Sequence, residues 1–231
     1  MILIASMAEP EKYPTNGGSW MQKVRFEQIT GHPALVVNYP QVTPELVAGY
    51  PFKAMFITGT GYPWETIPPE ATYGINDVLQ ETEMPVLAAC GGHQLLGWCF
   101  NHDVRKLKTF KDLPMRKLEP GEPDINPNYH PGYFMETGVH EVEIVQRDPI
   151  FIGLKKRFKV PEAHYCEVKR LPPGFVHLAR NDNCELQCFR HETKPMYGAQ
   201  FHAENWSDGY PDGEVFITNF FRIAGLVDAG S

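Results

Sequence analysis

The sequence predicts an α/β fold in which a central, mainly parallel sheet carries helices on both faces. Short, nearly continuous apolar runs recur at residues 1–5, 34–38, 54–58 and 86–89, the pattern that two-sided burial of parallel strands requires. The segments between these runs are long enough to hold crossover helices. Between the last two runs, Ile75, Val78 and Leu79 fall at i, i+3 and i+4, one face of a helix that must end before Pro85.

From about residue 105 to 136 the character changes: Pro114, Pro120, Pro123, Pro127 and Pro131 are interleaved with charged residues, which predicts an elaborate loop insert. Strand patterns then return at 139–145, 175–179, 186–189 and 196–201, so the second half is expected to be β-rich. Asp212 as N-cap, a stripe of Phe216, Ile217, Phe220 and Ile223, and Gly225 as a stop signal predict a closing helix.

A chain of 231 residues with 42% hydrophobic content suits one sizeable core, so residues 1–231 are expected to form a single domain carrying the 105–136 insert. The net charge of -7 opposes general attraction to nucleic acid or to an anionic membrane, and small soluble substrates fit better. The opening apolar run is too short for a signal peptide, and no stretch reaches the length of a membrane span. Five cysteines, odd in number and irregular in spacing, argue against a disulfide framework, and a cytoplasmic setting is expected.

Three local patterns carry chemistry. In Pro85-Val86-Leu87-Ala88-Ala89-Cys90-Gly91-Gly92-His93-Gln94, an apolar strand runs through small residues into an amphipathic segment, the strand–turn–helix plan of a nucleophile elbow. There a thiol sits at the positive end of a helix, and the Gly91 amide faces a developing oxyanion. Taken alone, the pattern suits a small core cysteine equally well. Near the end, His202 and Glu204 are two residues apart after a strand, so in extended backbone both face one side and the carboxylate can orient the imidazole. A lone histidine at a strand end is more often structural. The third pattern, Thr58-Gly59-Thr60-Gly61-Tyr62-Pro63, has glycines that let backbone amides approach a ligand, but it fits neither a dinucleotide fingerprint nor a P-loop.

Together the three patterns resemble the class I, triad-type glutamine amidotransferases and the related γ-glutamyl hydrolases and peptidases. The matching segments are Gly59-Thr60-Gly61-Tyr62-Pro63, Cys90-Gly91-Gly92-His93-Gln94 and Gln200-Phe201-His202-Ala203-Glu204, in the family's order and spacing. That resemblance implies a flavodoxin-like, three-layer sandwich. It implies Cys90 as nucleophile on a glutamine or γ-glutamyl amide through a thioester, His202 as base and Glu204 as its orienting acid. Gly59 and Gly91 would form the oxyanion hole, and Gln94, His164 and Tyr165 would contact the substrate, with a purely structural role as the alternative for His164. No cofactor and no metal are implied, and a separate synthetase subunit is the implied partner.

The chain departs from the family at Ala88, where a glycine is usual, and at Ala203, where a proline is usual. Ala163-His164-Tyr165-Cys166 stands where many relatives have Ser-His-Gly-Asp, and bulky Tyr165 is expected to reshape the pocket. A stand-alone γ-glutamyl hydrolase on a larger substrate is the competing reading, and a silent binding module is a third. Cys184 and Cys188, with His177 and His191 nearby, read as core packing on one strand face rather than a zinc site. His93 reads as a hydrogen-bonding core residue. Arg105, Lys106, Lys108, Lys111, Arg116 and Lys117 read as a solvated basic run, with a docking patch or lid as the sharper alternative.

Overall fold

A computed structural model describes residues 1–14 and 19–228. Its backbone is one nine-stranded sheet in the order β2-β1-β3-β4-β9-β8-β7-β5-β6. The first half supplies β1 (Ile2–Ser6), β2 (Ala34–Asn38), β3 (Ala54–Ile57) and β4 (Val86–Ala89), each within a residue of its apolar run. The second half supplies β5 (Glu136–Ile144), β6 (Arg157–His164), β7 (Phe175–Arg180), β8 (Cys188–His191) and β9 (Met196–Ala199).

The expectation of a mainly parallel sheet needs correction, because the sheet is mixed. β2, β1, β3, β4 and β9 pair in parallel, whereas every pairing among β9, β8, β7, β5 and β6 is antiparallel. The β-rich second half does not form a separate unit; it extends the same sheet.

Alternation along the strands sorts side chains to two faces. Ile2, Ile4, Phe56 and Leu87 join a core cluster with Phe26 of α1 (Trp20–Thr30) and Phe216, Ile217, Phe220 and Phe221 of α5 (Asp212–Ile223). Leu3, Ala5, Met55, Ile57 and Val86 join the other cluster, with α3 (Tyr73–Glu81) and α4 (Gly91–Asn101). A short α2 (Pro44–Gly49) is capped by the Thr43 hydroxyl, which accepts from Leu46 N. Asp212 is the first residue of α5 and not its cap; its carboxylate accepts from the Lys159 amide, while Gly225 turns the chain at φ 65° as expected.

β6 carries no strand signature in the sequence, for physical reasons. Arg157, Lys159, Glu162 and Pro161 look unlike a strand, but β6 is an edge, where a proline costs no ladder donor. Its alternate residues Phe158, Val160, Glu162 and His164 are all buried. Pro161 also accepts, through its carbonyl, from the His202 amide at 2.8 Å, so this edge strand positions the loop after β9.

Phe201 lies between the rings of Phe158 and Phe216, with centroids 5.6 and 5.1 Å away, and is fully buried next to His202. Phe201→Ala is expected to cost about 3–5 kcal/mol of unfolding free energy in urea titrations. A loss below about 1 kcal/mol would show that this cluster does not anchor the segment.

Candidate active site

Three adjacent parallel strands, β3, β4 and β9, end side by side and deliver Gly59, Cys90 and His202 to one edge of the sheet. Open α/β sheets bind ligands at these carboxyl ends. The β4–α4 junction is the expected elbow. Cys90 has φ 49° and ψ -107°, a conformation that costs a non-glycine residue on the order of 1–3 kcal/mol. Its amide donates to Ala199 O at 2.8 Å and its carbonyl accepts from Gln94 N at 3.0 Å, which holds the turn from both sides. The following position must be glycine, since a Cβ on Gly91 would lie 2.4 Å from Thr60 N.

Gly59 packs against both Cys90 and His202: a Cβ there would lie 3.0 Å from His202 Cε1 and 3.3 Å from Cys90 Cβ. His202 and Cys90 thus lie side by side against Gly59, and the Cys90 thiol has Ala163 O at 3.8 Å. On its other side, Nδ1 is 2.7 Å from Glu204 Oε1. The two residues do not reach one another along extended backbone as expected, because Glu204 sits in a 3-10 turn, Ala203–Asn205, where Asn205 N donates to His202 O. Arg25 fixes that turn by donating to Glu204 O at 2.6 Å while its guanidinium lies 4.2 Å over the Trp206 ring.

Burial works against charge on His202, yet the Glu204 carboxylate and Cys90 outweigh it and raise the imidazole well above its ordinary 6.5. Burial pushes the thiols of Cys99, Cys166, Cys184 and Cys188 up, which disfavours their thiolates.

The cleft around Cys90 is tight. About 20 Å³ is bounded by Thr60, Trp64, Gly91, Gln94, His164 and Tyr165, room for about one water. A larger cavity of about 240 Å³ lies behind the wall formed by Trp64 and Gln94 and does not reach Cys90. The expected substrate-binding residues are therefore all present, but Gln94 is already engaged. Its Oε1 accepts from Trp64 Nε1 at 2.6 Å, and its Nε2 donates to Cys166 O at 2.8 Å and Gln200 Oε1 at 3.2 Å. His164 is buried at the wall, and the Tyr165 ring meets Tyr129 of the 105–136 segment edge-on at 4.7 Å.

Several residues of the site carry no signal in the sequence. Trp64 closes one wall, and its amide donates to Asp112 Oδ1, which joins the 105–136 segment to the cleft. Asp112 Oδ2 in turn meets His130 Nε2 at 2.9 Å. His130 and Cys90 are the two non-glycine residues with positive φ among those described. Half of the basic run is ion-paired, Arg105 to Asp77, Lys106 to Asp103 and Arg116 to Glu122. His93 is a core residue as expected, stacked on Phe189 at 4.2 Å. Its ring faces the backbone of Gly198 and Leu186 without a well-aligned hydrogen bond, and burial pushes it down to about 3. Cys184 precedes β8, so it does not share a strand face with Cys188. Among the described residues, the ligand-type trios close enough to hold one ion are Asp112, His130 and Cys166, and Glu136, Glu162 and His164, neither of which contains that cysteine pair.

A cysteine held in a strained elbow beside a carboxylate-oriented histidine defines an enzyme class, and comparison with known proteins gives its family. Residues 36–224 match the model of the glutamine amidotransferase class-I family, and the chain belongs to that family. This is a family of enzymes that hydrolyse the glutamine amide with a cysteine nucleophile. The glutamine-hydrolyzing GMP synthase subunit of Pyrococcus furiosus is 30% identical over 216 residues, 91% of this chain and 96% of that one. The protein of the same name from Methanosarcina acetivorans is 33% identical over 147 residues, and that match spans 64% of each chain. Among solved structures, a GMP synthase subunit homologue from Thermoplasma acidophilum superposes with a TM-score of 0.71 at 20% identity, covering 97% of this chain and 93% of that one. The Trypanosoma brucei CTPS glutaminase domain with bound acivicin gives 0.66 at 15% identity, covering 99% and 95%. At these identities the two structures speak to the fold.

Because His202 is raised on folding, its pairing stabilises the protein fully below about pH 6.5, and the contribution is lost as pH rises through the higher folded value. Thermal melts of wild type and Glu204→Gln should therefore differ most near pH 6 and converge in alkali. A gap that widens with pH would contradict the charged pair.

Proposed function

We propose that this chain hydrolyses the side-chain amide of glutamine, with Cys90 as nucleophile, His202 as acid–base and Glu204 as its orienting carboxylate. The observation that carries the reading is His202, which lies beside Cys90 against Gly59 and meets Glu204 at 2.7 Å through Nδ1. The thiol proton passes to His202 as sulfur attacks the amide carbon. The tetrahedral oxyanion forms near the backbone amides of Gly59 and Gly91, in a water-poor site where such donors act strongly. His202 then gives its proton to the departing nitrogen, which leaves as ammonia, and a glutamyl thioester remains on Cys90. Water, deprotonated by His202, hydrolyses that thioester to glutamate and restores the thiol.

Gln94 serves this reading as a buttress, since both its amide hydrogens are committed to Cys166 and Gln200. The cleft has room for about one water, so glutamine enters only when Tyr165 and the insert part from one another. That supports residues 105–136 as a lid on a single 1–231 catalytic domain. The tightness also favours glutamine over a larger γ-glutamyl substrate. Helices on both faces of the sheet support a three-layer, flavodoxin-like arrangement. The relatives' designation as a subunit of GMP synthase supports delivery of ammonia to a separate synthetase subunit. No described helix is long and apolar enough to cross a membrane. All five cysteines are free thiols, which supports a reducing, cytoplasmic setting.

Purified protein should release ammonia from glutamine faster than from larger γ-glutamyl amides. His202→Ala should lower turnover by about 10²–10⁴-fold, and Glu204→Ala by less, because the base remains. Equal activity of His202→Ala and wild type would remove the assignment. Faster cleavage of γ-glutamyl peptides than of glutamine would favour the hydrolase reading.

A further inference from the structure

Behind the cleft wall lies a buried charge cluster that the reaction above does not use. β6 ends on His164, 2% exposed. Its Nδ1 is 3.0 Å from Cys166 O, and its Nε2 is 3.0 Å from Glu136 Oε2 and 3.4 Å from Glu162 Oε2. Carbonyl and carboxylate oxygens accept, so both ring nitrogens carry hydrogen and the ring is an imidazolium. Burial opposes that charge, but Glu136 and Glu162 overcome it and raise His164 to about 10.

Glu136 is held ionised by several donors. Oε1 accepts from Asn181 Nδ2 at 2.8 Å and Asn183 Nδ2 at 3.0 Å, and Oε2 accepts from Gln187 Nε2 at 3.0 Å. His140, on the same strand, lies 3.3 Å from Oε1. Glu162 is also buried, which raises its carboxyl above the usual range, and His164 is the partner that opposes this rise. The remaining titratable groups that face the imidazole are Cys90, across the cleft, and His93 of α4.

The backbone that His164 pins is the cleft wall itself. Ala163 O lies 3.8 Å from Cys90 Sγ, Tyr165 O accepts from Met115 N of the insert at 2.9 Å, and Cys166 O accepts from Gln94. The cluster also reaches the insert directly, because Asn183, which donates to Glu136, accepts from Arg116 Nη2 at 3.0 Å. We propose that His164 is a charged positioning residue: its imidazolium, hydrogen-bonded to Glu136 and to Cys166 O with Glu162 beside it, holds the 163–166 wall against Cys90 and, through Asn183 and Arg116, registers the 105–136 segment over the cleft. The inference deepens the proposed function and rests on Cys90 being its nucleophile.

The test compares wild type, His164→Gln and Arg116→Ala. For His164→Gln, KM for glutamine should rise about 10-fold or more with kcat within about 3-fold, the signature of lost substrate positioning. A glutamine-like diazoketone should label Cys90 more slowly in this variant. Arg116→Ala should shift KM in the same direction by a few-fold, since it cuts only the link to the insert. In wild type, nitrogen-15 spectra should show both His164 ring nitrogens protonated at pH 8. An unchanged KM in His164→Gln, a neutral ring at pH 8, or a stoichiometric divalent metal found by elemental analysis would each overturn the proposal. If His164→Gln fails to fold, the Arg116→Ala kinetics and the wild-type spectra decide. Failure of the diazoketone to label Cys90 in wild type would instead count against the proposed function.

Discussion

The turn at Cys90 is the constraint on which the rest of the site depends. A non-glycine residue at φ 49° stores strain, and it persists only because surrounding structure over-determines it. β9 accepts the Cys90 amide, α4 begins immediately after it, and the Thr60 backbone fills the space that a side chain at 91 would need. Each of these contacts comes from a different part of the chain. The elbow therefore exists only when the first-half strands and β9 have come together, and the thiol is presented only by the folded sheet.

Around this turn, buried charge is handled by pairing. His202 is matched to Glu204, and His164 to Glu136 and Glu162, because an isolated ion in an apolar interior would give up its charge. The two histidines lie near Cys90 with different surroundings: His202 meets Glu204 through Nδ1, whereas His164 is locked by acceptors on both nitrogens. Tight pairing also explains why the cleft is so small. Trp64, Gln94, Cys166 and Asp112 form a continuous hydrogen-bonded wall, and His130 extends it further into the 105–136 segment.

Much of this is legible in the sequence where local pattern and chemistry coincide. The runs at 34–38 and 86–89 are strands with those bounds, and the three site segments fall at the ends of neighbouring strands. Where tertiary context overrides local signal, the sequence is silent or misleading. β6 hides behind Pro161 and its charged residues because an edge strand tolerates them. The sheet reads as parallel from its first half, and only the pairings of β5 to β8 make it mixed. Trp64, Asp112, Glu136 and Glu162 look like ordinary surface or core residues until folding brings them to Gln94, His130 and His164. Gln94 itself matches a motif, but its neighbours decide that its amide is occupied.

In the proposed mechanism, carbon–nitrogen cleavage passes through a covalent bond to Cys90. Acid quenching of the enzyme during steady turnover of glutamine, followed by peptide mapping by mass spectrometry, reads that bond directly. The expected result is a glutamyl thioester on the Cys90 peptide, increased in the Glu204→Ala variant if hydrolysis of the intermediate slows more than its formation. An adduct on Cys99, Cys166, Cys184 or Cys188, or ammonia release that continues undiminished in Cys90→Ala, would contradict it.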